Sequence, residues 1–214
     1  MFLVDQRTVD STDLHADRLG IDRALVELLG AGDGLCLEVG CGTGIYADRI
    51  RRLGWYPVGI DLSAGMLRHA KTRLPTVRGD AYRLPFASGS CDAVTSVMMH
   101  TDLPDYAPVL GEVDRVLKPG GLFVHIGVHP CFCGGFADRS DPAAIVIRPG
   151  YLDGQWTTNS WTDRGLRDKV GASHLPLAGL LNAAIANGFH IEHLTEGGQP
   201  TPVTLSVRFH KQIA

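Results

Sequence analysis

The chain has 214 residues, of which 44% are hydrophobic and 20% charged, and its 23 acidic and 20 basic side chains leave a formal net charge of -3. This length suits one α/β domain with a well-filled core, whereas two full domains would be crowded. The near-neutral balance contains no run of five or six like charges, so the basic footprint of nucleic-acid binding is missing. We therefore expect a single domain over residues 1–214 and no nucleic-acid partner.

The hydropathy pattern and the cysteines indicate where the protein works. No stretch approaches the roughly 18 to 20 consecutive apolar residues of a membrane span. Residues 1–10 carry charges where a signal peptide would have its apolar core. The five cysteines are an odd number, and Cys36, Cys41 and Cys91 fall within strands or turns, which favours reduced thiols. These features predict a cytoplasmic protein without a membrane association.

Helical patterns come first along the chain, and strands follow. Residues 1–33 hold two short helical patterns, the second ending at Gly30. From Leu35 onward, short apolar strands alternate with helices, which predicts a mostly parallel sheet covered on both faces. The predicted strands are Leu35–Val39, Pro57–Asp61, Thr76–Arg78, Ala93–Val97 and Leu122–Val128, and the predicted helices are Ile45–Leu53, Ser63–Arg73 and Tyr106–Leu117.

The alternation breaks after Val128. The next forty or so residues form no clear element, and a loop of this length is usually functional or disordered. A helix over Pro176–Ala186 then precedes two strands, Phe189–Leu194 and Val203–His210, whose short connection requires an antiparallel pair. The irregular segment holds five of the aromatic residues: Phe132, Phe136, Tyr151, Trp156 and Trp161.

A glycine-rich turn directly follows the first predicted strand. The sequence from Glu38 to Gly44 is EVGCGTG, and it opens the next helix. Glycines allow a ligand to approach the backbone, and a helix N-terminus offers unpaired N–H groups to an anion. The dinucleotide fingerprint would need a third glycine at position 45, where Ile45 stands, and no phosphate-loop lysine follows. The turn by itself is weak evidence for a nucleotide-like ligand.

Two carboxylates follow the next two strands. Asp61 lies 21 residues after Gly40, at a distance where an acid can accept both hydroxyls of a bound ribose. Asp80 ends the third strand, where it could accept an adenine amine. Either residue could instead have a local role, Asp61 before the Ser63 helix cap and Asp80 in a turn. Three ordered features at successive strand ends favour a nucleoside site.

At these residues the chain resembles the class I S-adenosylmethionine-dependent methyltransferases, specifically the methyltransferase type 11 group. The resemblance covers roughly residues 35–128 and includes LKPGG at Leu117–Gly121. It implies an α/β, Rossmann-like fold: a seven-stranded, mostly parallel sheet with an antiparallel last strand and helices on both faces. It also implies four parts of one domain, namely 1–33 as an N-terminal cap, 34–128 as the cofactor-binding core, 129–174 as a lid over the substrate, and 175–214 as a helix and strand pair.

The resemblance also assigns roles to single residues. Gly40 and Gly42 would contact the methionine end of S-adenosylmethionine, and Glu38 would order their turn. Asp61 would hold the ribose, while Asp80 would bind the adenine edge. The full set of expected cofactor-binding residues is Glu38, Gly40, Cys41, Gly42, Gly44, Asp61, Leu62, Met66, Gly79, Asp80, Ala81, Ser96 and Val97.

The residues after the fourth strand bear on the acceptor. Methyltransferases of nucleobase amines resemble one another there in an Asn/Asp-Pro-Pro-Tyr/Phe motif, whereas this chain has SVMMH at Ser96–His100. The resemblance therefore favours an O, S, C or aliphatic N acceptor on a small molecule. Methyl transfer from a sulfonium is an in-line displacement, so the protein mainly aligns the acceptor and in some cases removes a proton.

Three histidines are candidates for that proton acceptor. His100 and His129 follow the fourth and fifth strands, at the edge where open α/β sheets bind ligands, and His174 could reach the same cleft. Each could instead be a structural histidine bonded to neighbouring backbone. His125 lies inside a predicted strand and is expected to be structural. Its spacing to His129, Cys131 and Cys133 does not suit zinc, so no metal is expected.

The favoured function is methyl transfer from S-adenosylmethionine, yielding S-adenosylhomocysteine, to a small-molecule acceptor. Two alternatives stay open: a protein that binds either nucleoside without transferase activity, and a tRNA or protein methyltransferase. We expect a monomer or homodimer. The segment from Cys131 to Ser173 is predicted to form a mobile lid, because it follows the fifth strand and concentrates aromatic residues.

Overall fold

Seven strands form one sheet. The first three strands extend it to one side, and the fourth strand pairs on the other side of the first. The computed structural model describes residues 17–141, 143–154, 156–157 and 171–213. The strands of this sheet are β1 (Leu35–Val39), β2 (Tyr56–Asp61), β3 (Thr76–Arg78), β4 (Cys91–Val97), β5 (Leu117–Val128), β8 (Phe189–Gly197) and β9 (Thr204–Lys211). They lie in the order β3-β2-β1-β4-β5-β9-β8.

The pairing confirms the predicted fold class. Strands β1 to β5 pair in parallel, and β9 lies between β5 and β8, antiparallel to both. Because β2 lies on one side of β1 and β4 on the other, the order reverses between β1 and β4. Open α/β sheets bind ligands in the crevice at such a switch point, outside the carboxyl ends of the strands.

The helices cover both faces of the sheet. Helices α1 and α2 pack with Leu122, Val124 and Ile126 of β5 on one face, while α4 and α5 pack with Phe123 on the other. This alternation along β5 follows from the two-residue repeat of a strand. The helices are α1 (Ile21–Leu29), α2 (Ala47–Arg52), α3 (Ala64–Ala70), α4 (Ala107–Val116) and α5 (Leu177–Ala186).

The element boundaries differ from the sequence prediction in a few places. The Ser63 cap is confirmed, since its hydroxyl accepts from the Met66 amide at 3.3 Å. Helix α3 ends at Ala70 rather than Arg73, and α2 is shorter than predicted at both ends. Strand β5 begins at Leu117 instead of Leu122, because Leu117 pairs with Cys91 and the Pro-Gly-Gly residues form an irregularity within the pairing rather than a separate turn.

The described part of the segment after β5 has contacts within itself and with the connection between β8 and β9. A two-stranded ribbon pairs β6 (Ala137–Asp138) with β7 (Val146–Ile147). The Arg139 guanidinium donates to the Pro202 carbonyl at 3.3 Å and to the Thr201 hydroxyl at 3.0 Å, which ties the segment to the connection between β8 and β9. Trp161, most of residues 155–170 and the first helical pattern, before residue 17, lie outside the described residues.

We expect Phe209→Ala to lower the free energy of unfolding by about 3 to 5 kcal/mol, the range for deleting a buried aromatic ring. Phe209 is buried, and its ring stacks on Phe123 at a centroid distance of 5.6 Å, so the cavity would lie where β9 joins the sheet. Urea denaturation measures the change. The control Leu152→Ala, at a side chain that is 79% exposed, should stay within about 0.5 kcal/mol of the wild type.

Candidate active site

The turn after β1 leaves open space beside one of its glycines. At Gly42, which has φ +53°, a Cβ atom would meet no atom of the described residues within 4 Å. At Gly40, which has φ +69°, a Cβ would lie 2.5 Å from the Met99 sulfur. The Gly40 amide donates to the Ile60 carbonyl at 2.8 Å, which fixes the turn against β2. A ligand can therefore approach the backbone closely at Gly42.

Asp61 connects this turn to the end of β2. One carboxylate oxygen accepts from the Gly42 amide at 2.8 Å, and the other accepts from the Ser63 amide at 2.8 Å. A carboxylate offers about four lone-pair positions, so each oxygen can accept a second hydrogen bond. Asp61 is thus held in place by two backbone donors while it keeps acceptor capacity toward the crevice. Because Asp61 also binds Gly42, 19 residues away, its role is more than the local one before the Ser63 helix cap.

Two apolar side chains lie exposed next to Asp61. Leu62 is 66% exposed and Met66 is 48% exposed, although both belong to residue types that are usually buried. Ser63, between them in sequence, caps α3 and so fixes where Met66 stands. An exposed apolar surface beside an acceptor for hydroxyl groups suits a flat ring joined to a sugar.

The turn after β3 adds an exposed carboxylate to this edge. The Gly79 amide donates to the Asp61 carbonyl at 3.1 Å, so the ends of β2 and β3 are joined directly. Asp80 is exposed, and one of its oxygens accepts from the Tyr82 amide at 2.9 Å. Ala81 packs at the margin of the core. Asp80 therefore has the turn role that the sequence left open, and its binding role stays a prediction.

Four of the expected cofactor-binding residues face the protein interior. Three have buried side chains, and the fourth is a glycine packed against a buried side chain. The Cys41 thiol is buried, which raises its pKa to about 12. A Cβ at Gly44 would lie 2.5 Å from Leu74, so this glycine serves packing. Ser96 accepts a hydrogen bond from a buried tyrosine, and Val97 lies in the core. Cys41, Ser96 and Val97 can reach a ligand in the crevice only through their backbone.

Glu38 is a buried acid beneath the glycine turn. It is 2% exposed, and its Oε2 atom has no hydrogen-bond partner among the described residues. Burial, followed by the negative charge of Asp61, raises the pKa of Glu38 to about 8. A positively charged ligand group nearby would favour the ionised carboxylate and relieve part of this cost. The site is therefore electrostatically suited to a cation.

His129 has both ring nitrogens engaged. Nδ1 accepts from the Cys131 amide at 3.1 Å, so the proton of the neutral ring lies on Nε2, which donates to Glu196 Oε1 at 2.6 Å. The side chain is 4% exposed. A general base needs an available lone pair, and the lone pair of His129 already accepts from the backbone. These contacts favour the alternative role of His129 as a loop histidine.

The other two candidate histidines are also buried. His100 lies in a short 3₁₀ turn with its ring against Gly127, at a centroid distance of 5.0 Å from the His125 ring. His174 Nε2 donates to the Tyr151 carbonyl at 2.8 Å, and burial lowers the pKa of the His174 ring. Each of the three histidines has its own buried contacts, and their catalytic roles stay predictions.

Three features of this edge were not predicted from the sequence. Met98 follows β4 with φ +57°, a left-handed conformation that is strained for a residue other than glycine, and no residue type signalled it. The Tyr106 hydroxyl bonds to Ser96 at 3.2 Å and to His125 at 3.1 Å, which forms a buried polar contact below the crevice. Glu196 binds His129, and because 67 residues separate them, no local sequence pattern predicts this contact.

No metal centre accompanies these groups in the part of the chain that the structure describes. There, no group of three or more His, Cys, Asp and Glu side chains could hold an ion. His125 instead contacts Tyr106, and the Cys133 sulfur lies 3.7 Å from the Val203 carbonyl. No described helix is long and apolar enough to cross a membrane.

Known proteins share both the sequence and the fold of this region. Residues 37–125 match the family model of a methyltransferase domain. The chain contains a class I S-adenosylmethionine-dependent methyltransferase domain. The structure of an S-adenosylmethionine-dependent methyltransferase from Mesorhizobium loti matches it with a TM-score of 0.72 and 25% identity, over 89% of this chain and 96% of that one. The donor of this family is S-adenosylmethionine.

The methyltransferase domain also resembles curated proteins over part of their length. A demethylmenaquinone methyltransferase of Beutenbergia cavernae is 40% identical over 121 residues, which cover 55% of this chain and 50% of that protein. A chloroplastic, uncharacterized methyltransferase of Arabidopsis thaliana is 35% identical over 108 residues, which cover 44% and 31%. The chain thus spans half or less of the length of these relatives.

We expect Asp61→Ala to weaken the binding of S-adenosylhomocysteine by about 2 to 4 kcal/mol, because hydrogen bonds to a charged acceptor contribute about 1.5 to 3 kcal/mol each. Calorimetry measures the affinity, and NAD should give no saturable binding. The matched control Glu192→Gln removes a charge on β8 and should leave the affinity unchanged. An Asp61→Ala affinity within twofold of wild type would remove Asp61 from the site.

We expect Glu38→Gln to flatten the pH dependence of stability. In the folded protein the pKa of Glu38 is raised from 4.5 to about 8, so the folded state keeps a proton that the unfolded state releases. Stability relative to pH 4.5 is therefore lost as the pH rises toward 8, by at most about 1.4 kcal/mol per pH unit. Urea denaturation at pH 5, 6.5 and 8 tests this, and equal slopes for both proteins would contradict it.

Proposed function

We propose that this protein transfers a methyl group from S-adenosylmethionine to a small-molecule acceptor. The observation that carries the proposal is the Asp61 carboxylate, which is held by the Gly42 amide at 2.8 Å at the switch point of the sheet. It supplies an oriented acceptor beside an open stretch of backbone. The family of the domain and its curated relatives support the same activity.

The residues at this edge fit the methyl donor. The Gly42 backbone would hold the methionine end, Asp61 the ribose hydroxyls, Leu62 and Met66 the adenine face, and Asp80 the adenine amine. When bound, S-adenosylmethionine supplies an activated methyl group on a cationic sulfur. The partnerless Oε2 of the buried Glu38 carboxyl fits a positively charged ligand above it.

The chain's own contribution to the reaction is mainly alignment. Acceptors would enter at the ends of β4 and β5, where Met98 is held in its left-handed conformation with its amide bonded to the Ile126 carbonyl at 2.7 Å. Fixing two reactants in line lowers the barrier without any proton transfer. Because Nδ1 of His129 is occupied, we propose that alignment, rather than a histidine base, carries the reaction. The segment after β5 would exclude water as the predicted lid.

One observation favours an RNA substrate as the second candidate. Residues 49–83 hold eight Lys and Arg side chains against two Asp, although the whole chain is negative. Part of this charge lies exposed along α2, α3 and the edge strand β3, at Arg51, Arg68, Lys71, Arg73 and Arg78. A basic edge of this kind suits a phosphate backbone.

Transfer of a labelled methyl group separates the candidates. The protein would be incubated with methyl-tritiated S-adenosylmethionine and, in parallel, with a small-metabolite extract, total tRNA or total protein. Label in the small-molecule fraction supports the proposal, and label in tRNA or protein supports a macromolecular substrate. Bound cofactor without transfer to any fraction would instead indicate a binding protein. An Asp61→Ala sample is the matched control for label carried over without catalysis.

The cellular setting belongs to the same proposal. We propose a cytoplasmic protein that works as a monomer or homodimer on a diffusible acceptor. Cell fractionation and light scattering of the purified protein test these two points.

A further inference from the structure

A second concave region lies beyond β5 at the same edge of the sheet. This cleft of about 410 Å³ lies between the end of β5, the end of β8 and the start of α5. Both β5 and β8 are antiparallel to β9, so the end of β8 lies at the edge that also holds Asp61. The volume suits a small molecule. The cleft walls include the apolar side chains of Phe132, Leu177, Leu181, Leu194 and Leu205.

His129 holds a carboxylate at this cleft. Its Nδ1 accepts from the Cys131 amide, and Nε2 therefore donates to Glu196 Oε1 at 2.6 Å. His129 is fixed by burial and by a tilted ring contact with Phe132 at a centroid distance of 4.6 Å, whereas the Glu196 side chain is 52% exposed. The histidine is thus the positioning residue and Glu196 is the group that a ligand can touch. One Glu196 oxygen accepts from His129, which leaves the second oxygen to accept from a ligand.

The charge of this arrangement selects the ligand. The ring of His129 is neutral, because a nitrogen that accepts from the Cys131 amide carries no proton. Among the described residues that line the cleft, Glu196 is the only Asp, Glu, Lys or Arg. The cleft therefore presents one negative charge within apolar walls, and a cation with an apolar body complements both features.

We propose that this cleft binds the acceptor and selects an apolar molecule bearing a protonated aliphatic amine, with Glu196 contacting the ammonium group and His129 positioning Glu196. The inference rests on the proposed function and narrows its acceptor class. The family match ends at residue 125, before both His129 and Glu196. The family match therefore does not determine what this cleft recognises.

Matched ligands test the charge preference without any turnover. Binding of 2-phenylethylamine and of the neutral 2-phenylethanol would be measured by calorimetry or NMR titration, with and without S-adenosylhomocysteine. We expect the wild type to bind the amine at least fivefold more tightly than the alcohol. Glu196→Gln should lower amine affinity at least fivefold and leave alcohol affinity within twofold, which a general loss of structure would not do.

Two further variants assign the roles within the pair. His129→Phe keeps an aromatic ring against Phe132 but removes the donor to Glu196, so the preference for the amine should fall by about twofold to fivefold. Glu192→Gln removes a carboxylate from the same strand, where it pairs with Arg208, and should leave the preference unchanged.

The outcomes separate this inference from the proposed function. Equal wild-type affinities for the two ligands, or an amine preference that survives Glu196→Gln, would overturn the inference. The titrations without S-adenosylhomocysteine give this result even if the nucleoside does not bind, and that failure would count against the proposed function alone.

Discussion

One carboxylate, that of Asp61, connects the parts of the candidate site. The Asp61 carboxylate accepts from the Gly42 amide of the turn after β1 and from the Ser63 amide that precedes α3. The turn after β1 and the start of α3, two pieces of chain that are separate in sequence, are therefore oriented by one side chain. The open backbone at Gly42, the apolar surface of Leu62 and the first turn of α3 all keep their positions relative to this carboxylate. Charged acceptors form stronger hydrogen bonds than neutral ones, which suits this central place.

The same edge also holds a buried acid whose ionisation is unfavourable. Glu38 is buried near Asp61, and its raised pKa shows that the ionised form is poorly solvated there. A buried carboxyl oxygen without a hydrogen-bond partner, such as Oε2 of Glu38, costs stability, and proteins keep such costs mainly where a functional site gains from them. A cationic ligand would interact with both carboxylates. The cost of ionising Glu38 in the free site and the proposed preference for a cationic ligand then have one electrostatic cause.

Much of this fold could be predicted from local sequence. The alternation of apolar runs and helices gave the parallel sheet, and Ser63 gave the start of α3, because caps and periodicity act over a few residues. The early start of β5 was missed because Pro119 and two glycines usually end an element, whereas pairing of Leu117 with Cys91 outweighs that preference. The His129–Glu196 contact was missed for a different reason: it depends on β8 and β5 ending at the same edge, which no local pattern encodes.

The order of the strands determines which forms first, the edge around Asp61 or the cleft beside Glu196. Strand β8 joins the sheet only through β9, which follows it in sequence and lies between it and β5. The turn after β1 and Asp61 depend on strands β1 to β4, and all the strands that pair with these end before residue 129. The cleft beside Glu196 needs β9 in place first, so it depends on pairing between residues far apart in the chain, which forms slowly. During synthesis, the turn after β1 and the Asp61 carboxylate can therefore take their positions before the walls of the cleft beside Glu196 exist.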